Sequence, residues 1–226
     1  MQQINDQIFL YENSDIFWGF DNNPQIIIKT DNSSYNHYVN IDPFPCYYCD
    51  IELVEQINIK INNLFPIKFK TKICILSNEF NERTNGHSTK NLIWKDGKMA
   101  GFDPIVVLSG KRIPIHPAMT RYLIAHELGH IVDYYINYCM NIEENKEEET
   151  IGTFHNKYAK FRRINNNEER YSSQNWINNI GEIIANDFRI WAEIETEFWP
   201  HKISYPDKII FDYWQELKDK YSYKNY

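Results

Sequence analysis

The chain has 226 residues, of which 42% are hydrophobic and 15% aromatic, enough for one sizeable folded core. Its formal net charge is −7 and no basic stripe offsets it, which argues against nucleic acid as a partner. The first residues lack the basic segment of a secretory signal, and no run approaches the roughly 20 apolar residues of a membrane span. We therefore expect a soluble, monomeric single domain that is cytoplasmic or exported by a signal-independent route.

Residues 1–50 are predicted to be irregular, because Asn, Asp, Ser and Pro clusters interrupt their short apolar runs. This part contains a C-x-x-C pair, Cys46 and Cys49. A structural zinc site would need a second such pair nearby, and a redox motif would open a helix after a strand. Neither context is present, so the sequence favours two thiols in a turn.

Residues 51–140 are predicted to hold a small sheet and the central helix. Apolar residues at helical spacing predict a helix over 50–64, and 68–77 reads as a strand. A polar loop is predicted over 78–88. Asp96-Gly97 lies between two short apolar pieces, which is a strong signal for a tight hairpin. The apolar run 105–109 predicts a further strand.

The motif H-E-x-x-H occurs at His126, Glu127 and His130. Residues four apart on a helix lie on the same side, so the two imidazoles could bind one zinc ion. Glu127 beside them is placed to act as a general base on a zinc-bound water. Pro117 is a suitable first residue for the helix, which is predicted to continue to Met140.

This helix carries two distinct faces. The apolar face comprises Ile124, Leu128, Ile131, Val132, Tyr135 and Cys139, and the opposite, polar face comprises Met119, Tyr122, His126, His130, Asp133 and Asn137. The separation places the histidines away from the core side and favours a functional motif over a chance match.

A catalytic zinc needs a third protein ligand and one open position. A third histidine six residues after His130 is excluded, because Ile136 occupies that position. Asp133 lies on the polar face, but one straight helix rarely supplies three ligands, so we predict an outer-shell or solvent-facing role. The favoured third ligand is Glu182, on a second predicted helix.

Residues 141–226 are predicted to form a helical C-terminal part that begins with a charged connection and a short amphipathic helix at Phe154, Tyr158 and Phe161. In the helix of Glu182, the core stripe is Ile177, Ile180, Ile184, Phe188 and Trp191. The other side carries Asn178, Glu182, Asn186 and Arg189, and Asn186 and Arg189 are predicted to support the metal site.

H-E-L-G-H followed by Glu182-x-x-Ala185-x-x-Phe188 resembles the gluzincin metallopeptidases. The first motif, with Asp133, is similar to the catalytic domains of anthrax lethal factor and the Pro-Pro endopeptidases. The second motif also resembles the ImmA/IrrE peptidases. The resemblance covers roughly residues 100–195 and implies an α+β, zincin-like domain with a small mixed sheet, one zinc ion and a protein or peptide substrate.

The resemblance also implies an edge strand over the active-site helix, on which the substrate pairs. We assign this role to the strand Ile105, Val106, Val107, Leu108 and Ser109. Lethal-factor-like enzymes carry an oxyanion-stabilising Tyr shortly before the glutamate ligand, but Asn175 stands at that spacing here. Tyr171 is the candidate, with His155 and His201 as alternatives.

In thermolysin-like gluzincins an Asp four residues after the glutamate orients a histidine, and Asn186 stands there in this chain. Its side chain can still accept a hydrogen bond from a ring N–H. The sequence thus predicts a zinc-dependent endopeptidase with Glu127 as general base. The alternative is a binding or regulatory module that retains zinc without turnover. An intact Glu127 favours the enzyme.

Overall fold

A computed structural model describes residues 2–3, 5–11, 15–18, 26–29, 51–76, 86–96, 98–108, 117–144, 152–164, 179–194 and 204–223. Within these ranges the chain is of mixed α+β type, as predicted, with seven strands and five helices. Predictions for Cys46, Cys49, Ser109, Tyr171 and His201 lie outside the described residues. No described helix is long and apolar enough to cross a membrane.

Five strands form the main sheet. In chain order they are β1 (Gln2–Gln3), β2 (Ile8–Tyr11), β5 (Lys72–Leu76), β6 (Gly86–Lys95) and β7 (Lys98–Leu108), and their order across the sheet is β1-β2-β5-β7-β6. Strands β2, β5 and β7 run parallel, whereas β1 and β6 run antiparallel to their neighbours. The predicted mixed sheet is therefore present. Strands β3 (Asp15–Trp18) and β4 (Ile26–Lys29) form a separate antiparallel pair.

Strands β6 and β7 form the hairpin that the sequence predicts. Lys95 pairs with Lys98, and Asp96 adopts a φ of 52°, the left-handed conformation that tight hairpin turns require. The first strand of the hairpin is longer than expected. Residues 86–88, predicted as the end of a polar loop, are the first residues of β6. Polar side chains at these positions obscured the strand.

Two helices pack close to the sheet. Helix α1 (Ile51–Leu64) matches its prediction and buries Leu53, Val54, Ile57 and Ile61. Helix α2 (Pro117–Glu143) begins at the predicted proline and continues past Met140. Its apolar face packs against α1 and β7 within one hydrophobic core. Leu128 is 3% exposed there, and Ile124 and Ile131 are almost fully buried.

The polar face of α2 is buried as well, which the sequence did not predict. Tyr122, His126, Asp133 and Asn137 all have low exposure, because α4 (Ile180–Trp191) and α3 (Gly152–Arg162) cover this side of the helix. The polar residues are therefore enclosed between helices instead of facing solvent.

Helix α4 is held in place by a buried polar network. Asp187 accepts hydrogen bonds from Arg162 Nε at 2.8 Å and Arg162 Nη2 at 2.9 Å, on α3 (Gly152–Arg162). Tyr158 donates to the same carboxylate at 2.8 Å, and Trp214 Nε1 on α5 (Lys208–Tyr221) donates to Tyr158 at 3.0 Å. Of the three residues predicted to form the apolar face of α3, Phe154 and Tyr158 are fully buried. The third, Phe161, is exposed and stacks on Tyr213. The network fixes α4 relative to α3 and α5.

Candidate metal centre

The side chains of His126, His130 and Glu182 converge between α2 and α4. His126 Nε2 lies 3.0 Å from Glu182 Oε2, and the two histidine Nε2 atoms are 3.2 Å apart. His130 Nε2 lies 3.6 Å from Glu182 Oε1. One potential ligand atom from each residue lies within 4.8 Å of the others, so the three can hold a metal ion.

Glu182 is presented by the first turn of α4. Asn179 caps this helix by accepting a hydrogen bond from the backbone N–H of Gly181 at 2.8 Å. The positive end of the helix dipole favours a carboxylate in the first turn. The helix start therefore both orients Glu182 and favours its charged form.

A close approach of the two helices sets the width of the site. A Cβ added to Gly129 would lie 2.8 Å from the carbonyl oxygen and 2.9 Å from the Cα of Ala185. A Cβ atom essentially never approaches another heavy atom this closely, so glycine is required at this crossing. Gly129 lies between the two histidines, and Ala185 lies one turn after Glu182. The contact keeps the ligands from both helices within reach of one ion.

The electrostatics of the site favour a positive charge between these side chains. Burial alone would lower the pKa of His130, but the carboxylates of Glu182, Glu127 and Asp133 together outweigh burial and raise that pKa to about 9. Burial alone would raise the pKa of Glu182, but His130 and His126 hold it well below its usual range. An anionic Glu182 thus attracts a proton, and it would attract a metal cation for the same reason.

Glu127 packs against the start of β6. Ser88 Oγ donates to the backbone carbonyl of Glu127 at 2.8 Å and also contacts the Glu127 carboxylate oxygen Oε2. A Cβ added to Gly86 would lie 2.7 Å from Glu127 Oε1, so a larger residue at this position would displace the carboxylate from where it lies. Glu127 is 5% exposed. The candidate base is therefore held by strand β6 as well as by its own helix.

Among the described strands, β6 is the edge of the sheet on this side, which corrects the prediction that residues 105–108 belong to an edge strand. Ile105, Val106, Val107 and Leu108 pair with β6 on one side and with β5 on the other. Their backbone groups are used within the sheet, so a substrate cannot pair with them. Among the described strands, β6 pairs with β7 only, and it packs on α2.

Asp133 is buried and does not face solvent. Its Oδ2 lies 2.8 Å from His155 Nε2, and Asn137 Nδ2 donates to its Oδ1 at 2.8 Å. A Cβ added to Gly181 would lie 3.7 Å from His155 Cε1 and 3.8 Å from Asp133 Oδ2. Asp133 and His155 therefore both lie beside Gly181, the residue that precedes Glu182. Through this contact Asp133 joins α2 to α3 next to the start of α4.

The residues predicted to support the site differ in their contacts. Asn186 Nδ2 donates to the carbonyl of Glu182 at 2.9 Å. Asn186 Oδ1 is buried and has no hydrogen-bond partner among the described residues, so it accepts no bond from a histidine ring there, and Nδ1 of His126 also has no partner among them. Arg189 is buried and its guanidinium carbon lies 5.0 Å from the centre of the Tyr122 ring.

Sequence reasoning missed the contribution of β6. Burial lowers the pKa of His87, and the charges of Glu127, His130 and Glu182 act on the same imidazole. His87 lies between Gly86 and Ser88, which both adjoin Glu127.

The interior position of 105–108 could have been predicted, because a continuous apolar run indicates a strand buried on both faces.

No family model, curated protein or solved structure matches the chain. The interpretation of the site therefore depends on its residues and their geometry.

Proposed function

We propose that the chain is a zinc-dependent endopeptidase of the gluzincin type, with a zincin-like arrangement of sheet and helices. The observation that carries this proposal is the convergence of His126, His130 and Glu182 on one point, beside the buried carboxylate of Glu127. Two histidines and one glutamate form the ligand set of thermolysin-type catalytic zinc sites, which keep a further position open for water or substrate.

The spacing of the ligand atoms supports zinc as the metal. Zinc binds histidine nitrogen and carboxylate oxygen at about 2.0–2.2 Å, so two ligand atoms of a tetrahedral ion are roughly 3.3 Å apart. His126 Nε2 lies 3.0 Å from Glu182 Oε2 and 3.2 Å from His130 Nε2, and His130 Nε2 lies 3.6 Å from the other carboxylate oxygen, Oε1. Imidazole and carboxylate together also suit zinc better than calcium or magnesium, which prefer oxygen ligands alone.

Glu127 would perform the proton transfers. A zinc ion in the site would supply Lewis acidity, lowering the pKa of a water and polarising the substrate carbonyl. The Glu127 carboxylate would accept the proton of the attacking water and pass it to the amine of the leaving peptide. Ser88 and Gly86 restrict where this carboxylate can lie, so it is oriented before substrate binds.

Strand β6 would bind the substrate backbone. Its outer edge has no partner among the described strands, and an extended peptide can add to such an edge by main-chain hydrogen bonds. The part of β6 that contacts Glu127, at Gly86 and Ser88, would bring the paired peptide next to the base. This arrangement favours an endopeptidase that accepts an extended segment of a polypeptide.

The test combines metal analysis with proteomic identification of new protein termini. Wild-type protein should bind one zinc ion and cleave a denatured protein mixture. Glu127→Gln should retain zinc and lose activity by several orders of magnitude, since base catalysis is lost together with water positioning. His126→Ala should lose zinc.

A different outcome would identify a different function. Wild-type protein that binds zinc but generates no new termini would be a zinc-retaining binding or regulatory module. A Glu127→Gln variant with full activity would exclude the proposed base even if the metal site is correct. Full zinc retention by His126→Ala would exclude the ligand assignment.

A further inference from the structure

Within the described residues, His126 does not make the contact that usually orients a metal-binding histidine. Such a histidine almost always donates its second ring N–H to a carboxylate, carbonyl or water, which fixes the direction of the ring. Nδ1 of His126 is buried without a hydrogen-bond partner among the described residues. The hydrogen-bond contacts of this ring are made by Nε2, the atom proposed to bind the metal. With no partner for Nδ1 among the described residues, packing is left to orient the imidazole when Nε2 is used by a metal.

The packing partner is Tyr122, one helical turn before His126 on α2. The centres of the two rings are 5.5 Å apart and their planes are 13° from parallel, which is an offset stack. Tyr122 is 6% exposed and His126 is equally buried. Neither ring can therefore turn without displacing its neighbours.

Arg189 holds Tyr122 from the other helix. Its guanidinium carbon lies over the Tyr122 ring, 5.0 Å from the ring centre, in the range of a cation–π contact. Its Nη1 donates to the carbonyl of Ile194 at 3.4 Å, just after the end of α4. Arg189 and Glu182 lie on the same side of α4, two turns apart. One helix thus provides both the third ligand and the group that packs on Tyr122.

We propose that Tyr122 is a positioning residue that orients the His126 imidazole for the metal by ring stacking, with Arg189 fixing Tyr122. The proposal rests on the zinc site described under the proposed function. The stack restrains the plane of the His126 ring, and the plane determines where Nε2 points. It would thereby take the place of the hydrogen bond that Nδ1 does not make to any described residue.

The test distinguishes the effect of the Tyr122 ring on zinc affinity from the effects of its hydroxyl group and of its size. Tyr122→Phe keeps the ring, whereas Tyr122→Leu keeps a buried apolar side chain without one. Tyr135→Leu is the matched control, because Tyr135 is 5% exposed on the same helix but packs against Phe69. Zinc affinity of the purified full chain is measured by competition with a chelator, and folding is measured by thermal melts.

Tyr122→Leu should bind zinc about 10- to 100-fold more weakly, the loss typical of an outer-shell partner. Tyr122→Phe should bind zinc as tightly as wild type. Tyr135→Leu should melt at a lower temperature with unchanged zinc affinity. As a spectroscopic readout, the ring protons of His126 should show upfield NMR shifts in wild type and Tyr122→Phe, and lose these shifts in Tyr122→Leu. If Tyr122→Leu does not fold, Tyr122→Met replaces it with the same expectations.

Wild-type zinc affinity in Tyr122→Leu would overturn the positioning role and leave the proposed function intact. An equal loss of affinity in Tyr122→Phe and Tyr122→Leu would assign the effect to the hydroxyl and overturn the stacking argument. An equal loss in Tyr135→Leu would show that affinity follows general stability. Wild-type protein that binds no zinc would overturn the proposed function first, and the positioning role with it.

Discussion

The hydroxyl of Ser88 joins the edge of the sheet to the candidate base, since Ser88 Oγ lies 2.8 Å from the carbonyl oxygen of Glu127 and also contacts its carboxylate. Ser88 and Glu127 are each 5% exposed. A movement of β6 would therefore shift the carboxylate that the proposed mechanism uses. We therefore expect that a peptide bound at the outer edge of β6 would affect the position of Glu127.

We expect Ser88→Ala to reduce the proposed peptidase activity by about 10- to 100-fold, since small displacements of a catalytic group have effects of this size. Zinc content should not change, because the side-chain hydrogen bonds of Ser88 within the described residues go to Glu127 and not to His126, His130 or Glu182. Thr89→Ala is the control, since neighbouring residues of a strand point to opposite faces. Steady-state kinetics and metal analysis check both variants, and full activity of Ser88→Ala would contradict the coupling.

Gly129→Ala should separate α2 from α4 and weaken zinc binding. The added Cβ would lie 2.8 Å from a backbone oxygen of Ala185, which cannot move without moving the helix. Overpacking of this kind costs about 1–3 kcal/mol of stability. Thermal melts and chelator competition measure the two effects.

Gly181→Ala is the matched control for this change. Its Cβ would lie 3.2 Å from a side-chain atom of Asn179, which can adjust more easily than backbone. It should therefore affect stability and zinc affinity less than Gly129→Ala. A larger effect of Gly181→Ala would show that the helix crossing does not determine the width of the site.

Zinc binding at neutral pH should release about one proton, because a metal must displace the proton that His130 carries. Burial lowers the pKa of His130, but the carboxylates of Glu182, Glu127 and Asp133 together raise it to about 9, so we expect this imidazole to carry a proton at neutral pH. Calorimetry in buffers of different ionisation enthalpy measures the proton. Heats that do not depend on the buffer would contradict the prediction.

The same pKa predicts how the chelator-treated protein responds to pH. The folded-state pKa of His130 lies above its ordinary value of 6.5, so its contribution to stability is complete below pH 6.5 and is lost as pH rises towards 9. Urea unfolding with chelator should therefore show stability falling across this range. Glu182→Gln should reduce the fall, because the charge that raises the pKa is removed.

Arg162→Met should destabilise the fold by about 3–5 kcal/mol, since removing one partner of a buried ion pair leaves the other uncompensated. Burial already raises the pKa of Asp187 to about 6 although Arg162 opposes this. Lys208→Met is the control, because the exposed pair of Lys208 and Asp212 contributes at most about 1 kcal/mol. Urea unfolding compares the two variants, and similar costs would mean that the Asp187 network does not hold α4.

Local signals predicted much of the fold. Pro117 marked the start of α2, Asp96 marked the hairpin turn, and apolar spacing marked α1. These signals work because each depends on neighbouring residues only. The convergence of His126, His130 and Glu182 was also predicted, from two helical faces with matching polar residues.

Relations between distant segments were less accessible. Whether the polar face of α2 meets solvent depends on α4, and the buried Asp133 shows that it does not. The edge position of β6 depends on the order of strands across the sheet, which the polar residues of 86–90 do not reveal. The stack of Tyr122 on His126 depends on ring orientations that helical spacing permits but does not determine.

Trp214 leaves the ribosome after every residue that it helps to hold. Through Tyr158 it supports Asp187, and thereby the helix that presents Glu182. A growing chain can form α2 with both histidines, and α4 with Glu182, while Trp214, one member of the network that holds α4, is still unsynthesised. We therefore expect high-affinity zinc binding, and with it the proposed activity, to arise only late in biosynthesis. Ribosome-bound chains that end before and after α5 would test this expectation through their zinc content.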